Sequence, residues 1–316
     1  MSVAAFLFLR AEPWWDSSHY PHLVPAGERV ISIRNLRKSY GSDEVLHGID
    51  LEIERGEIFA LLGPNGAGKT TTVEILEGYR ERDSGDVLVL GVDPEEGTMQ
   101  WRDSIGIVLQ DSADFPDLTV RETISHFRHY YSRARDVEHL IDAVGLVEKS
   151  DQKIRTLSGG QRRRLDVALG IIGSPELLFL DEPTTGFDPR ARRSFWDLIK
   201  NLRDEGTTIL LTTHYLDEAE ALADRVGVIA SGQILEIAPP ATLGGREKAL
   251  AKVSWRDSAG SLHQVETDTP TELVKKLIAE FNGEIPSLSV KRPTLEEIYL
   301  EMIGESDPAL VDEVSP

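Results

Sequence analysis

Cysteine is absent from this 316-residue chain, which excludes disulfide bonds and every metal site built on thiolates. Long apolar runs are absent too, because the longest early stretch, Val3–Leu9, falls short of the roughly 18 apolar residues that a membrane span needs. Basic residues are scarce, with 34 against 54 acidic ones and a formal net charge of -20. This balance argues against binding through a basic face, so we expect no nucleic acid partner.

Gly63–Thr70 reads Gly-Pro-Asn-Gly-Ala-Gly-Lys-Thr and fits the pattern G-x-x-x-x-G-K-[ST]. The apolar run Ile58–Leu62 before it predicts a buried parallel strand, and the residues after it predict a half-buried helix. A glycine loop in this context binds polyphosphate, since its amides and the helix dipole point at the anion. Lys69 would reach the β- and γ-phosphates, and the Thr70 hydroxyl would bind Mg²⁺. The predicted phosphate-contacting residues are Gly63, Pro64, Asn65, Gly66, Ala67, Gly68, Lys69, Thr70 and Thr71.

Two adjacent acids end the apolar run Leu177–Leu180. Acids at the carboxyl end of a parallel strand face the crevice where α/β sheets bind ligands. Asp181 would hold Mg²⁺ through water, and Glu182 would orient or deprotonate the attacking water. A strand that merely runs into a charged turn would give the same sequence pattern. Together with the glycine loop, however, the Asp181–Glu182 pair indicates a nucleotide hydrolase.

Leu157–Gln161 reads Leu-Ser-Gly-Gly-Gln. Ser158 suits the N-cap of a helix that two glycines open, which gives a second helix start able to bind an anion. An ordinary capped turn fits these five residues as well. The strand that ends in Asp181 and Glu182 follows closely, and this order of motifs distinguishes the segment from an ordinary capped turn.

From about Val30 to Pro239 the chain resembles the ATP-binding-cassette (ABC) ATPases. Gly63–Thr70 is similar to the first phosphate motif of that family, Leu177–Glu182 to the second, and Leu157–Gln161 to its signature. The resemblance implies an α/β P-loop NTPase cassette with a mixed β-sheet core and a helical insertion at about 115–160.

Four further residues match the family by their order along the chain. Tyr40 stands where an aromatic ring stacks on adenine, and Gln110 is similar to the Q-loop glutamine that serves the metal and the catalytic water. His214 is similar to the switch histidine that stabilises the γ-phosphate. Asp188 lies in a segment similar to the D-loop, although Phe187 replaces the usual leucine at this expected dimer contact.

The resemblance also implies two copies arranged head to tail. Each ATP would then lie between the glycine loop of one copy and the signature of the other. The signature residues expected to contact this ATP are Ser158, Gly159, Gly160 and Gln161.

The remaining pattern divides the chain into four parts. We expect a loose N-terminal extension over 1–28, with a short anchor or a partner-docking arm as the alternative, and the cassette over 29–244. A small α+β module is expected over 245–304 and an acidic disordered tail over 305–316. Within the cassette, a helix at Ser194–Leu202 and a strand at Thr207–Leu211 complete the predicted core.

The predicted C-terminal module contains a hairpin at Leu250–Trp255 and Ser261–Val265, a helix at Glu272–Phe281, a strand near Leu288–Val290 and a helix from Pro293. Its stretch Arg292–Tyr299 resembles the C-terminal module of daunorubicin-resistance-type exporter ATPases, as does Gln161–Asp166. We expect this module to regulate the protein or to dimerise.

The sequence thus predicts a Mg²⁺-dependent ATPase subunit of an exporter whose membrane permease is a separate chain. The subunit is expected to be cytoplasmic and peripheral on the inner face of the membrane. A soluble ABC ATPase with an assembly or sensor role and no permease stays open as the alternative. A binding module without hydrolysis is disfavoured because Glu182 is present.

Overall fold

A computed structural model describes residues 28–109, 115–131, 133–257 and 259–306. The strands, in chain order, are β1 (Arg29–Tyr40), β2 (Asp43–Glu54), β3 (Ile58–Leu62), β4 (Ser84–Val89), β5 (Ile105–Val108), β6 (Leu177–Asp181), β7 (Thr208–Thr213), β8 (Arg225–Ala230), β9 (Gln233–Ala238), β10 (Ala251–Arg256), β11 (Leu262–Thr267) and β12 (Ser289–Lys291). The α-helices are α1 (Lys69–Leu76), α2 (Met99–Asp103), α3 (Val120–Arg128), α4 (Val137–Ala143), α5 (Gly159–Gly170), α6 (Pro189–Asp204), α7 (Leu216–Leu222), α8 (Pro270–Phe281) and α9 (Leu295–Ser306).

A six-stranded sheet in the order β5-β6-β7-β3-β8-β9 forms the centre of the cassette. Its first five strands are parallel and β9 runs antiparallel to β8, which confirms the predicted mixed sheet. Strands β3 and β7 are buried along their whole length, since other elements cover both faces of the sheet. Because β6, β7 and β3 are neighbours, the segments after their carboxyl ends meet at one edge of the sheet.

Strands β1, β2 and β4 form a separate antiparallel sheet in the order β2-β1-β4. Its buried residues pack with one face of the central sheet, where Ile33 and Leu51 share a cluster with Phe59 and Leu61 of β3. The hairpin between β1 and β2 begins at Tyr40, which lies at the end of β1. This second sheet therefore places the predicted adenine-stacking residue near Arg80, which follows the helix after the glycine loop.

The helical insertion contains α3 and α4 followed by two short 3₁₀ turns. Thr119 and Glu122 form a capping box that starts α3, with each side chain accepting the other residue's amide. Val120, Ile124 and Leu140 are buried against the central cluster of the cassette. The predicted helical character of this region is confirmed.

The cassette core does not end at the strand predicted for Thr207–Leu211. Helix α7 and strands β8 and β9 follow it, and β8 pairs directly with β3. Periodicity does not separate a short apolar run such as Val226–Ala230 from a buried helix, and tertiary pairing decides its conformation here. The sheet therefore has two strands that the sequence analysis did not include.

The C-terminal hairpin is confirmed as β10 and β11, with β12 on the other side of β10. Helix α8 packs on this sheet through Leu277, which joins Val253 and Ile285 in a small cluster. The Asp257 carboxylate accepts the amides of Ala259 and Ser261, both at 2.9 Å. Its side chain thereby closes the hairpin turn.

Helix α9 packs against the cassette through its buried side chains. Leu295, Tyr299 and Ile303 belong to the same buried cluster as Val226 and Leu243. The division of the chain at residues 244 and 245 stays a prediction, and α9 contacts the cassette side of it.

Within the described ranges, no helix has the length and apolar character that a bilayer crossing requires. The predicted extension before residue 28 and the predicted tail after residue 306 lie outside those ranges.

Candidate functional site

The predicted phosphate loop connects β3 to α1, as the motif requires. Gly68 is the N-cap of α1 with a φ of 104°, and a Cβ there would lie 2.6 Å from Leu46 Cδ2. A Cβ on Gly63 would lie 2.3 Å from the carbonyl oxygen of Ile229 on β8. Because glycine has no Cβ, the loop backbone can pass close to its neighbours at both positions and curve around a ligand. A larger residue would clash at either position.

Lys69 is folded back into the loop that precedes it. Its Nζ donates hydrogen bonds to the carbonyl oxygens of Gly63 at 2.8 Å and Pro64 at 3.1 Å, and the residue is only 6% exposed. Burial lowers the pKa of the Lys69 ammonium, while the negative charges of Glu182 and Asp181 act in the opposite direction. A buried cation beside an anion-binding loop is suited to neutralise a phosphate group.

Glu182 and His214 come together at the edge of the sheet. His214 Nδ1 lies 3.1 Å from Glu182 Oε1. A ring nitrogen that carries a hydrogen can donate it to this carboxylate oxygen. Strand register explains the proximity, because β6 and β7 are adjacent and Asp181 pairs with Thr212. The structure thus joins two residues that are 32 positions apart in the chain.

The backbone at Glu182 has a φ of 42°, in the left-handed region that non-glycine residues rarely adopt. Its amide donates to Thr212 Oγ1 at 3.1 Å, and that hydroxyl donates to Asp181 Oδ1 at 2.5 Å. These bonds hold Glu182 in a backbone conformation that costs about 1–3 kcal/mol. Strain of this kind is typical of functional sites.

The residues predicted to bind a metal offer oxygen atoms, which Mg²⁺ prefers. Thr70 is exposed on the first turn of α1, and Asp181 is half-buried at the end of β6. The Asp181 charge acts on Lys69, which places its carboxylate beside the phosphate loop. These donors fit Mg²⁺ in chemistry, whereas Gln110, the third predicted ligand, lies outside the described residues.

Tyr40 presents a partly exposed ring, with 42% of the residue accessible. The Arg80 guanidinium lies 5.1 Å from its centroid, and Arg80 Nε donates to Glu74 Oε2 at 2.6 Å. A cation held against an aromatic face is an attractive arrangement. The ring is therefore oriented by its neighbours and still accessible to a flat ligand such as adenine.

Ser158 begins α5 as its N-cap, and its capping box with Gln161 is complete. The Ser158 amide donates to Gln161 Oε1 at 3.0 Å, and the Gln161 amide donates to Ser158 Oγ at 3.3 Å. Ser158 and Gly159 are exposed, and a Cβ on Gly159 would meet no atom within 4 Å. The segment is a preformed helix start that faces outward.

Asp188 is exposed and caps α6, where its carboxylate accepts the amides of Arg190 and Ala191. The neighbouring Phe187, which replaces the usual leucine, packs edge-on against Phe195 of its own chain with centroids 5.6 Å apart. The larger ring is thus accommodated inside the cassette.

Arg163 was not predicted as a site residue, yet it joins three segments around the site. Its guanidinium donates to the carbonyl oxygens of Pro183 at 3.1 Å and Asp181 at 2.7 Å, and also to that of Leu109. The residue is 6% exposed, and burial lowers its pKa. The sequence does contain a signal for Arg163. It lies four residues before Val167 and eight before Ile171, so the helical period places a charged residue on the apolar face of α5.

Glu77, at the end of α1, is a second residue that the motifs did not indicate. Burial raises the pKa of its carboxyl to about 8, and the charges of Asp181 and Glu74 add to the effect. Because the Asp181 charge acts on it, Glu77 is a second half-buried acid near the predicted metal-binding edge.

Known proteins resemble this chain along most of its length. The sequence profile described as "ABC transporter" matches residues 46–185. The chain is 34% identical over 309 residues to the linearmycin resistance ATP-binding protein of Bacillus subtilis (strain 168), covering 88% of this chain and 99% of that protein. It is 35% identical over 306 residues to the daunorubicin/doxorubicin resistance ATP-binding protein of Streptomyces peucetius, covering 87% and 93%. It is 41% identical over 301 residues to the Nod factor export ATP-binding protein I of Burkholderia lata, covering 87% and 97%.

Solved structures show the same fold. An ATP-binding subunit of an ABC transporter superposes with a TM-score of 0.61 at 24% identity, covering 68% of this chain and 91% of that one. An ATP-binding cassette in its ADP conformation superposes with a TM-score of 0.60 at 23% identity, covering 67% and 91%. The number of residues that superpose corresponds to the cassette alone.

Proposed function

Because this chain belongs to the ABC transporter family, we propose that it is the ATP-binding and ATP-hydrolysing subunit of an exporter whose permease is a separate chain. The relatives of similar length are named as resistance or export ATP-binding proteins. The observation that carries the proposal is the position of Lys69, buried in the phosphate loop within reach of the charges of Asp181 and Glu182. That arrangement suits a bound triphosphate.

Hydrolysis at this site is phosphoryl transfer to water, in which positioning and charge stabilisation supply most of the rate. The loop amides and Lys69 bind the β- and γ-phosphates, and Tyr40 stacks on the adenine. Glu182 orients the attacking water and accepts its proton, while His214 stabilises charge on the γ-phosphate. When bound, Mg²⁺ neutralises charge on the phosphate oxygens, and Thr70, Gln110 and Asp181 would hold it.

Two copies of the chain would complete the sites. The helix start at Ser158–Gln161, where Ser158 and Gly159 are exposed, is suited to bind the γ-phosphate of an ATP held by the other copy, since the N-terminus of a helix favours an anion. ATP then stabilises the closed dimer because it contacts both copies, and hydrolysis removes that stabilisation.

An aromatic cluster on the helical insertion is the proposed permease contact. Phe115 and Phe127 pack edge to face at 5.5 Å, and Phe127 lies 6.0 Å from Tyr130, which is 68% exposed. The cluster directly follows the segment that contains Gln110. Phe115 and Phe127 are half-buried, and Tyr130 brings the cluster to the surface. Apolar groups at the surface are suited to contact a partner, so we place the permease here and the protein on the inner face of the membrane.

The test is the variant Glu182→Gln in the purified full-length chain. The amide accepts no proton, so we expect kcat for ATP hydrolysis to fall by about 10²–10⁴-fold. The dissociation constant for ATP should change little, and ATP-bound dimers should accumulate in sedimentation. Glu96→Gln, at an exposed site, is the matched control. Turnover by Glu182→Gln within threefold of the starting protein would contradict the assignment.

A further inference from the structure

His214 is held by two neighbours of different kinds. Glu182 fixes one ring atom through the 3.1 Å contact to Nδ1. The ring of Tyr215 lies against the imidazole, with centroids 4.0 Å apart and an angle of 41° between the planes. The His214 side chain is 35% exposed, so its orientation depends on these contacts. Tyr215 limits the tilt of the imidazole plane, which a single hydrogen bond leaves free.

Tyr215 is in turn held by a cation from another helix. The guanidinium carbon of Arg192, on α6, lies 4.7 Å from the centroid of the Tyr215 ring. Arg192 Nη1 also donates to Asp217 Oδ2 at 2.8 Å, and Asp217 is on the first turn of α7. A cation near an aromatic face attracts the ring over a short range. The position of Tyr215 therefore depends on where α6 places Arg192.

Arg192 is tied to the predicted D-loop through the first turn of α6. Its amide donates to the carbonyl oxygen of Asp188 at 3.0 Å. The Asp188 carboxylate accepts the amides of Arg190 and Ala191, each at 2.9 Å. A capped first turn moves as one unit, so a displacement of Asp188 displaces Arg192.

We propose that Arg192 and Tyr215 are positioning residues that set the orientation of His214 according to the position of Asp188. This proposal rests on the proposed function, since the reaction concerned is ATP hydrolysis at this site. Asp188 is exposed and faces the second copy in the proposed dimer. The contacts Asp188–Arg192–Tyr215–His214 then let the approach of that copy align the imidazole for catalysis.

The kinetic test uses Arg192→Ala and Tyr215→Leu in the full-length chain. We expect kcat to fall about tenfold in each, with KM for ATP within about twofold, because the affected contact is made in the transition state. Tyr215→Phe keeps the ring and should retain at least half of the activity. Arg193→Ala, at the exposed neighbouring position, should behave like the starting protein.

A double-mutant cycle separates positioning of His214 from a general effect on folding. In a His214→Ala background, adding Arg192→Ala should lower kcat by less than about twofold, because the residue through which Arg192 acts is gone. A full tenfold loss in that background would overturn the proposal. An unchanged kcat in both Arg192→Ala and Tyr215→Leu would overturn it as well.

The imidazole can also be observed directly, without turnover. In ¹⁵N-labelled nucleotide-free protein, Arg192→Ala should shift the ring signals of His214, assigned by their loss in His214→Gln, whereas Arg193→Ala should not. Identical His214 signals in Arg192→Ala and the starting protein would overturn the proposal. Absence of ATP hydrolysis by the starting protein would instead contradict the proposed function, and the spectra would still decide whether Arg192 orients His214.

Discussion

Glu77 shows how the surroundings of a single residue determine its chemistry. The carboxyl lies at the end of α1, and its pKa is raised to about 8 by burial and by the charges of Asp181 and Glu74. At pH 7 the folded protein therefore keeps a proton that the unfolded chain has released. Conformational stability is then linked to pH through this one group.

We predict that the free energy of unfolding falls between pH 5 and pH 8 partly because of Glu77. The folded state binds the extra proton in this window, so stability is full below the ordinary carboxyl pKa and decreases as the pH rises. The contribution has a slope of at most about 1.4 kcal/mol per pH unit. Glu77→Gln should flatten the profile, measured by urea unfolding with EDTA and no nucleotide. A profile of the same slope in Glu77→Gln would contradict this role.

The site residues differ in how far the sequence reveals them. Gly63–Thr70 and the Asp181–Glu182 pair are found because their chemistry is encoded in consecutive residues. The contact between Glu182 and His214 depends on strand register, which no local pattern contains. Arg163 and Glu77 acquire their properties from burial against segments distant in sequence. The resemblance supplied the places of Tyr40 and Asp188, and their roles stay predictions.

At the scale of elements, α9 is the part whose destination was not predicted. Its amphipathic pattern was assigned to a C-terminal module, but Leu295, Tyr299 and Ile303 complete the buried cluster of the cassette. Gly244 permits the approach, since it has a φ of 58° and a Cβ there would lie 2.3 Å from Ile298 Cγ2. A helix pattern shows which face is buried, not which neighbour buries it.

Tyr299→Ala tests whether α9 is an integral part of the cassette core. Tyr299 is 2% exposed, so loss of its ring should lower the free energy of unfolding by about 3–5 kcal/mol, as for other large aromatic deletions. Urea unfolding followed by circular dichroism measures it, with Tyr299→Phe as the control that keeps the ring. A decrease below 1 kcal/mol, or loss of structure confined to residues after 245, would show that α9 contributes nothing to the cassette.

At the scale of the whole molecule, the proposed dimer requires that neither copy contains a complete site. Lys69 and Gly159 would serve the same ATP from different copies. Gly159 has open space around it, so Gly159→Gln should fold normally and fill the gap that the partner's ATP needs. Lys69→Ala should remove the charge that neutralises the phosphates.

We predict that mixing Lys69→Ala with Gly159→Gln restores ATP hydrolysis. Each mixed dimer contains one intact site, so random pairing of equal amounts should return about a quarter of the starting activity. Phosphate release is measured at concentrations where dimers form. The control mixes Lys69→Ala with the double variant Lys69→Ala/Gly159→Gln, in which no pairing gives an intact site. If the mixture hydrolyses ATP no faster than that control, the proposal that two copies share each site is contradicted.

The fold class followed from the sequence because strand, glycine loop and helix occur in a fixed order. The helical insertion and the C-terminal hairpin were also recognisable, since their periods are regular. Helix α7 and strands β8 and β9 were not, because short apolar runs have no distinctive period. Strand β8 is fixed by pairing with β3, which lies more than 150 residues earlier, and β9 by pairing with β8.

The position of α9 also affects how the protein reaches its folded state on the ribosome. Synthesis proceeds from the amino terminus, so β3, β7 and β8 leave the exit tunnel long before residues 295–303. Until those residues emerge, the cluster around Leu243 and Val226 lacks the apolar face that covers it. Contacts between distant parts of a chain form slowly, and exposed apolar surface promotes aggregation in the interval. We therefore expect the nascent cassette to need protection from aggregation until residues 295–303 have been translated.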